Sequence, residues 1–245
     1  MNLGQNENIK DDLKKLYDEK AEEYGKSYAT LAGHHFMWRK INTARQMGSF
    51  EKGMNILEVG SANGSYTFEF AKMGFTMTGI DLSEKCIESA TKKAQESGLH
   101  NINFVNADAE NLSLFPDNTF DGVLSFSTLR YVPDAQKAVK EIFRVVKHDR
   151  TVVLDFPNKF SPWFNYIKPW ITGKKHIYDH HYSTGEVKAF FHNAGFHHIR
   201  VKRILYMPKF AGKTLFTFLK YAEKIGELPL LNNFASIIMC YGIKP

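Results

Sequence analysis

Between residues 54 and 156 short apolar runs alternate with amphipathic stretches, and this rhythm constrains the fold more than any other feature of the chain. Strands are expected at Asn55–Val59, Thr76–Ile80, Ile102–Asn106, Asp121–Phe126 and Thr151–Phe156. Helices are expected at Tyr66–Met73, Glu84–Ser97 and Ala135–Val146. Strand and helix in turn predict a parallel sheet with helices on both faces. Crossovers in such sheets are nearly always right-handed, so the sheet is expected to be doubly wound. Pro157, Pro162, Pro169 and Gly173 break the rhythm in a segment rich in aromatics and histidine. It resumes with a helix at Thr184–Ala194, a strand at His198–Tyr206, an amphipathic helix over 210–226 and a strand at Ala235–Ile243. Ahead of it, Ile9, Leu13, Leu16, Tyr17, Ala21 and Tyr24 recur at helical spacing over 9–30, and Phe36, Trp38, Ile41 and Ala44 do so over 35–47.

A chain of 245 residues that is 43% hydrophobic and 24% charged fits an ordinary globular protein. The formal charge of +6 is spread over scattered residues, unlike the basic runs of nucleic-acid-binding tails. Nucleic acid is therefore not expected as the partner. The polar first 30 residues hold no apolar signal core, and no window is apolar enough to span a bilayer. A cytoplasmic protein without a membrane span is the expectation. Cys86 and Cys240 form no close pair, so no metal site is expected.

The strongest local signal is Ile56-Leu57-Glu58-Val59-Gly60-Ser61-Ala62-Asn63-Gly64-Ser65. A buried strand ends in a turn of small residues and opens into a helix, the arrangement at which open α/β sheets bind nucleotides. Asp81 ends the second strand, where a carboxylate can accept from both ribose hydroxyls. Asp108, with the amide of Ala109 beside it, follows the third strand and is placed to reach an adenine amino group. Either Asp81 or Ser83 could instead cap the following helix. The joint spacing, a turn and then an acid about 20 residues on, favours a nucleotide site. Dinucleotide enzymes carry a third glycine that packs the helix beside a pyrophosphate; here it is missing. A cofactor without phosphates, S-adenosylmethionine, needs less of that anion site.

These motifs resemble those of the class I S-adenosylmethionine-dependent methyltransferases, in particular the broad family that includes the ubiquinone and menaquinone methyltransferases. Ile56 to Gly64 is similar to that family's first motif, Asp81 with Leu82 to its ribose-binding step, and Asp108-Ala109 to its adenine-facing pair. Leu114-Phe115-Pro116-Asp117-Asn118-Thr119-Phe120-Asp121 resembles its link into the fourth strand, and Ser125 lies where that strand's end faces the cofactor. The resemblance implies an α/β fold: a doubly wound, mostly parallel seven-stranded sheet with an antiparallel last strand inserted between two others, and an N-terminal helical lid. It implies one domain over 1–245, with the lid over 1–48, a cofactor-binding core over 54–156, a substrate-side insertion over 157–182, and the rest of the sheet over 183–245. The implied cofactor residues are Tyr24, Arg39, Glu58, Gly60, Ala62, Gly64, Asp81, Leu82, Asp108, Ala109 and Ser125, with Tyr24 packing on the cofactor and Arg39 meeting its carboxylate. The chain departs from the pattern at Ala62, which replaces a glycine, and at Lys147-His148-Asp149-Arg150, which replaces a Lys-Pro-Gly-Gly turn.

Methyl transfer mainly requires an aligned nucleophile, with a base when the acceptor is a hydroxyl. No catalytic residue stands out; His34, between the first helices, and His181, in the aromatic insertion, are the candidate bases. Trp163, Phe164, Tyr166, Trp170 and Tyr178 suit a partly apolar small-molecule acceptor, with oxygen as the expected methylated atom. The fourth strand runs into Ser125-Phe126-Ser127-Thr128 rather than Asn-Pro-Pro-Tyr, which argues against amino methylation of bases. The alternatives are an RNA methyltransferase, a binding module without catalysis and a nicotinamide-dependent oxidoreductase. Residues 210 to 231 would add to the acceptor wall or to a homodimer contact.

Overall fold

In a computed structural model the chain is described over residues 3–162, 178–205, 216–217 and 231–245. Trp163, Phe164, Tyr166, Trp170 and His176, and the helix expected over 210–226 apart from Phe216 and Thr217, lie outside the described residues.

Seven strands form one sheet in the order β3-β2-β1-β4-β5-β7-β6. They are β1 (Asn55–Val59), β2 (Thr76–Asp81), β3 (Ile102–Asn106), β4 (Phe120–Ser125), β5 (Val146–Pro157), β6 (His197–Ile204) and β7 (Ile237–Ile243). β1 pairs in parallel with β2 and β4, and β7 pairs antiparallel with both β5 and β6, as the resemblance implied. Among the described residues six α-helices accompany it: α1 (Leu3–Lys20), α2 (Leu31–Met47), α3 (Ser65–Lys72), α4 (Glu84–Ser97), α5 (Ala135–Val145) and α6 (Thr184–Ala194). No described helix is long and apolar enough to cross a membrane.

The central strands are apolar on both faces because helices cover both. In β1, Leu57 and Val59 enter one core while Ile56 enters the other. In β5, Val152, Leu154 and Phe156 face the first and Val153 the second. This period of two feeds two helical layers. Ala138, Val139 and Ile142 of α5 and Val187 and Phe191 of α6 complete one core, and Ile41 and Ala44 of α2 with Phe70 of α3 complete the other.

Several element boundaries differ from the sequence expectation by a residue or two, and three larger differences have a local reason. The helix expected over 9–30 ends at Lys20, and Gly25 then takes φ 91° in the left-handed region. α2 starts at Leu31 because the Thr30 hydroxyl accepts from the Gly33 amide at 3.0 Å. β5 begins at Val146 because Asp149, at φ 58°, turns the backbone and donates its N–H to the Lys244 carbonyl at 2.8 Å. Asp149 thus does the work of the missing glycine.

Phe191 is fully buried, and a Cβ added at Gly242 of β7 would come within 2.8 Å of its ring. Phe191→Ala should lower the unfolding free energy by about 3–5 kcal/mol, seen as a lower urea midpoint with an unchanged slope.

Candidate functional site

The turn after β1 is tied to the end of β2. Gly60 and Ser61 both donate their amides to the Ile80 carbonyl at 2.8 Å, and Ala62 donates to Asp81 Oδ2 at 2.9 Å. Gly60 has φ 78°, and a Cβ there would lie 2.0 Å from Thr128 Oγ1, so glycine alone fits. Ala62 takes φ 46°, and Gly64, at φ 84°, opens α3. Ser83, not Asp81, caps α4 by accepting from the Cys86 amide at 3.1 Å. Asp81 Oδ1 accepts from the Ser83 amide at 3.0 Å, which leaves the carboxylate facing a cavity. Burial pushes the Asp81 pKa upward, against the bonds from Ser83 and Ala62.

The cavity encloses about 720 Å³ of empty space, part of it open to solvent. It lies at the carboxyl ends of β1, β2, β3 and β4. Its floor is Val59, Gly60, Ala62, Ile80 and Asp81, with Asp108 and Ala109 on one side and Ser127, Thr128 and Val132 on the other. Leu13 and Tyr17 of α1, with Tyr24 and Tyr131, enclose it; Tyr17 meets Tyr24 and Tyr131 edge-on at 5.8 Å each. α1 is held in place by charge. Lys10 Nζ reaches Asp108 at 2.7 Å and Glu110 at 2.9 Å, and the Ser83 hydroxyl donates to Asp18 at 2.5 Å. Burial pulls the Lys10 pKa down, but Asp108 and Glu110 together outweigh it and hold it above its ordinary value.

The wall brings together Tyr24, Gly60, Ala62, Asp81, Leu82, Asp108 and Ala109. Glu58, Gly64 and Ser125 are not in the wall. Ser125 Oγ donates to the Val59 carbonyl at 2.9 Å, and Glu58 Oε2 accepts from Thr67 at 2.5 Å. Arg39 is half-buried on α2, away from the wall, while its neighbour Lys40 points inward. His34 is exposed near the start of α2. His181 lies 3.2 Å from Asp179 and 3.3 Å from Arg130, and does not line the cavity. Sequence reasoning missed Lys10, Tyr17, Ser127, Thr128 and Tyr131. The last three follow the fourth strand, the position from which an open α/β sheet addresses its ligand.

Two ion pairs, one fully buried and one partly buried, brace the far side. Lys40 Nζ lies 2.6 Å from Asp155 Oδ2, both side chains fully buried, and donates to Ser127 Oγ at 2.6 Å. Burial lowers the Lys40 pKa against the pull of Asp155, and Arg130 lowers it further. Arg130 grips Asp179 through two nitrogens at 2.6 Å each, tying the 178–182 segment to the loop after β4. Despite its burial, the Asp179 carboxyl is held well below the usual range by its bonds to His181 and Arg130.

Residues 50–195 match the sequence profile described as a methyltransferase domain. The chain belongs to this methyltransferase family. With the family come the class I fold and the cofactor S-adenosylmethionine. The demethylmenaquinone methyltransferase of Listeria welshimeri is 32% identical over 148 residues, 55% of this chain, so that the match spans 61% of that relative's length. The sterol 24-C-methyltransferase of Aspergillus fumigatus is 36% identical over 123 residues, which cover 49% of this chain and 30% of that one. A SAM-dependent methyltransferase from Thermotoga maritima superposes with a TM-score of 0.67 at 19% identity, over 94% of this chain and 99% of that one, which shows the likeness of fold. The residues present fit an adenosyl cofactor. A hydrogen-bonding carboxylate, Asp81, stands in an otherwise largely apolar wall, beside a turn whose glycine keeps the backbone bare.

Removing one partner of the Lys40–Asp155 pair strands a buried charge. Lys40→Met should lose about 3–5 kcal/mol of stability in urea unfolding, and adding Asp155→Leu should restore most of it. Glu58 supplies a pH test. Burial raises its pKa from the ordinary 4.5 to about 8, so the folded chain holds a proton that the unfolded chain releases. Stability should then fall as pH rises from 4.5 to 8, by at most about 1.4 kcal/mol per unit, and Glu58→Gln should flatten that slope.

Proposed function

We propose that the chain transfers the methyl group of S-adenosylmethionine to a small, partly apolar acceptor, at an oxygen atom. One observation carries this reading: Asp81, Asp108 and the Gly60 turn converge on a single cavity at the strand ends, under an aromatic cover. In this reading Asp81 accepts from the ribose hydroxyls, and Asp108 with the Ala109 amide meets the adenine edge. Gly60 and Ala62 keep the backbone clear, Leu82 and Tyr24 pack on the cofactor, and Glu58, Gly64 and Ser125 hold the turn from beneath. α1 serves as the lid. Arg39, His34 and His181 are left out of the reading because none of them reaches the wall.

The cofactor, when bound, supplies an electrophilic methyl group on a sulfonium sulfur. The chain's own task is to hold the acceptor in line with that methyl and to keep water away. Tyr17, Tyr24, Tyr131, Leu13 and Val132 provide the dry surface. A quinone precursor and a sterol, named in two relatives, are apolar acceptors of the kind such a wall accommodates.

Calorimetry with S-adenosylmethionine, S-adenosylhomocysteine and NAD tests the reading. Both adenosyl compounds should bind and NAD should not. Asp81→Ala should weaken adenosyl binding by about 10- to 100-fold, the loss expected when a charged acceptor is removed. Preference for NAD, or undiminished binding by Asp81→Ala, would sink the reading.

A further inference from the structure

The polar corner at Ser127 is not explained by the cofactor half of the cavity. Ser127 follows β4, lines the cavity and takes φ 60°, a left-handed backbone that a serine rarely adopts. Strain of this kind persists where the surroundings impose it, and it gathers at functional sites. Here the surroundings are specific. The Ser127 amide donates to Asp155 Oδ1 at 2.6 Å, and Asp155 is fixed in turn by Lys40. The Lys40 ammonium also donates to Ser127 Oγ at 2.6 Å.

That last bond has a direction. An ammonium only donates, so the serine oxygen accepts and its own proton must point elsewhere. Among the described residues the Ser127 hydroxyl donates to no protein group. Its proton is thus available to the cavity, which Ser127 lines. The neighbouring Thr128 hydroxyl is committed to the Gly60 and Phe126 carbonyls at 3.2 Å. On the α1 side, Lys10 and Lys14 are tied to Asp108, Glu110 and Glu84. The cavity is therefore polarised. Asp81 and Asp108 offer acceptors at one side, and Ser127 offers a donor at the other.

We propose that Ser127 is the acceptor-binding donor of this cavity, its hydroxyl turned inward by Lys40 and its backbone held by Asp155, and that it grips an anionic oxygen of the acceptor. This rests on the methyltransferase reading above and adds the acceptor's chemistry: an ionised enol or phenol on an apolar body. The acceptor's proton goes to solvent before binding, so the chain needs no base, in keeping with the absence of a histidine from the described wall. Ser127 is the contact residue; Lys40 and Asp155 are positioning residues that act through it.

The test uses 4-nitrophenolate, whose visible absorption shifts when its oxygen is hydrogen-bonded, with 4-nitroanisole as the probe that lacks an ionisable oxygen. Both are titrated into the full chain with S-adenosylhomocysteine present. The wild type should take nitrophenolate in preference to nitroanisole. Ser127→Ala should weaken nitrophenolate by about 10-fold or more while nitroanisole and S-adenosylhomocysteine stay within about twofold. Ser127→Gly, which relieves the left-handed backbone and also lacks the hydroxyl, repeats the measurement in case the alanine variant folds poorly. The double variant Lys40→Met/Asp155→Leu should keep nitroanisole binding but lose the preference for nitrophenolate, a change that loss of packing alone would not produce. Equal binding of the two probes by wild type, binding of neither, or an equal loss of S-adenosylhomocysteine in Ser127→Ala overturns the proposal. Failure of wild type to bind S-adenosylhomocysteine overturns the methyltransferase reading instead, and the nitrophenolate titration without it then reads Ser127 alone.

Discussion

Three successive amides hold the site together. Gly60, Ser61 and Ala62 all donate to the end of β2, two to the Ile80 carbonyl and one to the Asp81 carboxylate. This fixes the turn of one strand against the end of its neighbour, and it sets the angle at which α3 departs. A side chain at Gly60 would strike Thr128, so the turn also locates the loop after β4. The cavity exists because these elements are locked together at their carboxyl ends while the strands beneath are packed from both faces.

The site is dense in buried charge, and burial is costly unless each charge is matched. Lys40 with Asp155 and Arg130 with Asp179 meet that condition by direct pairing. Glu58 meets it differently, by retaining a proton well above the usual carboxylate range. The pairs contribute little net stability by comparison with apolar packing of the same volume, since desolvation offsets most of their attraction. What they provide is orientation. Lys40 aims Ser127, and Arg130 draws the segment from Tyr178 to Tyr182 over the loop that carries Thr128 and Tyr131.

The layered sheet was legible because its signals are local. Period-two burial in β1 and β5, the Gly60 turn, and the acids after β2 and β3 all lie within short stretches of sequence. The rival roles of Asp81 and Ser83 were also stated in the sequence, and hydrogen bonds separate them: Ser83 caps, Asp81 faces the cavity. Less legible was anything that depends on where α1 lies. Tyr17 reads as one more residue of an apolar stripe, yet it faces the cavity; Lys10 reads as a surface cation, yet it bonds Asp108 across 98 residues. Arg39 and Lys40 are adjacent cations on one helix, and periodicity alone does not say which turns inward. The apolar stripe of α2 does: Met37, Ile41 and Ala44 are buried, and Lys40 lies on their side.

The two halves of the cavity therefore encode their ligands in different ways. The cofactor half is written in a turn and two strand ends, so backbone geometry supplies most of it, and that geometry goes with the fold. The acceptor half is written in side chains brought together over long separations, as when Lys40 meets Ser127 across 87 residues. Substitutions there leave the sheet and the turn untouched. A chain can thus keep its cofactor while its acceptor changes, which is why fold limits the first so much better than the second. The strained, ammonium-bound serine after β4 is where such a change would register, because its donor direction is set by one lysine rather than by the fold.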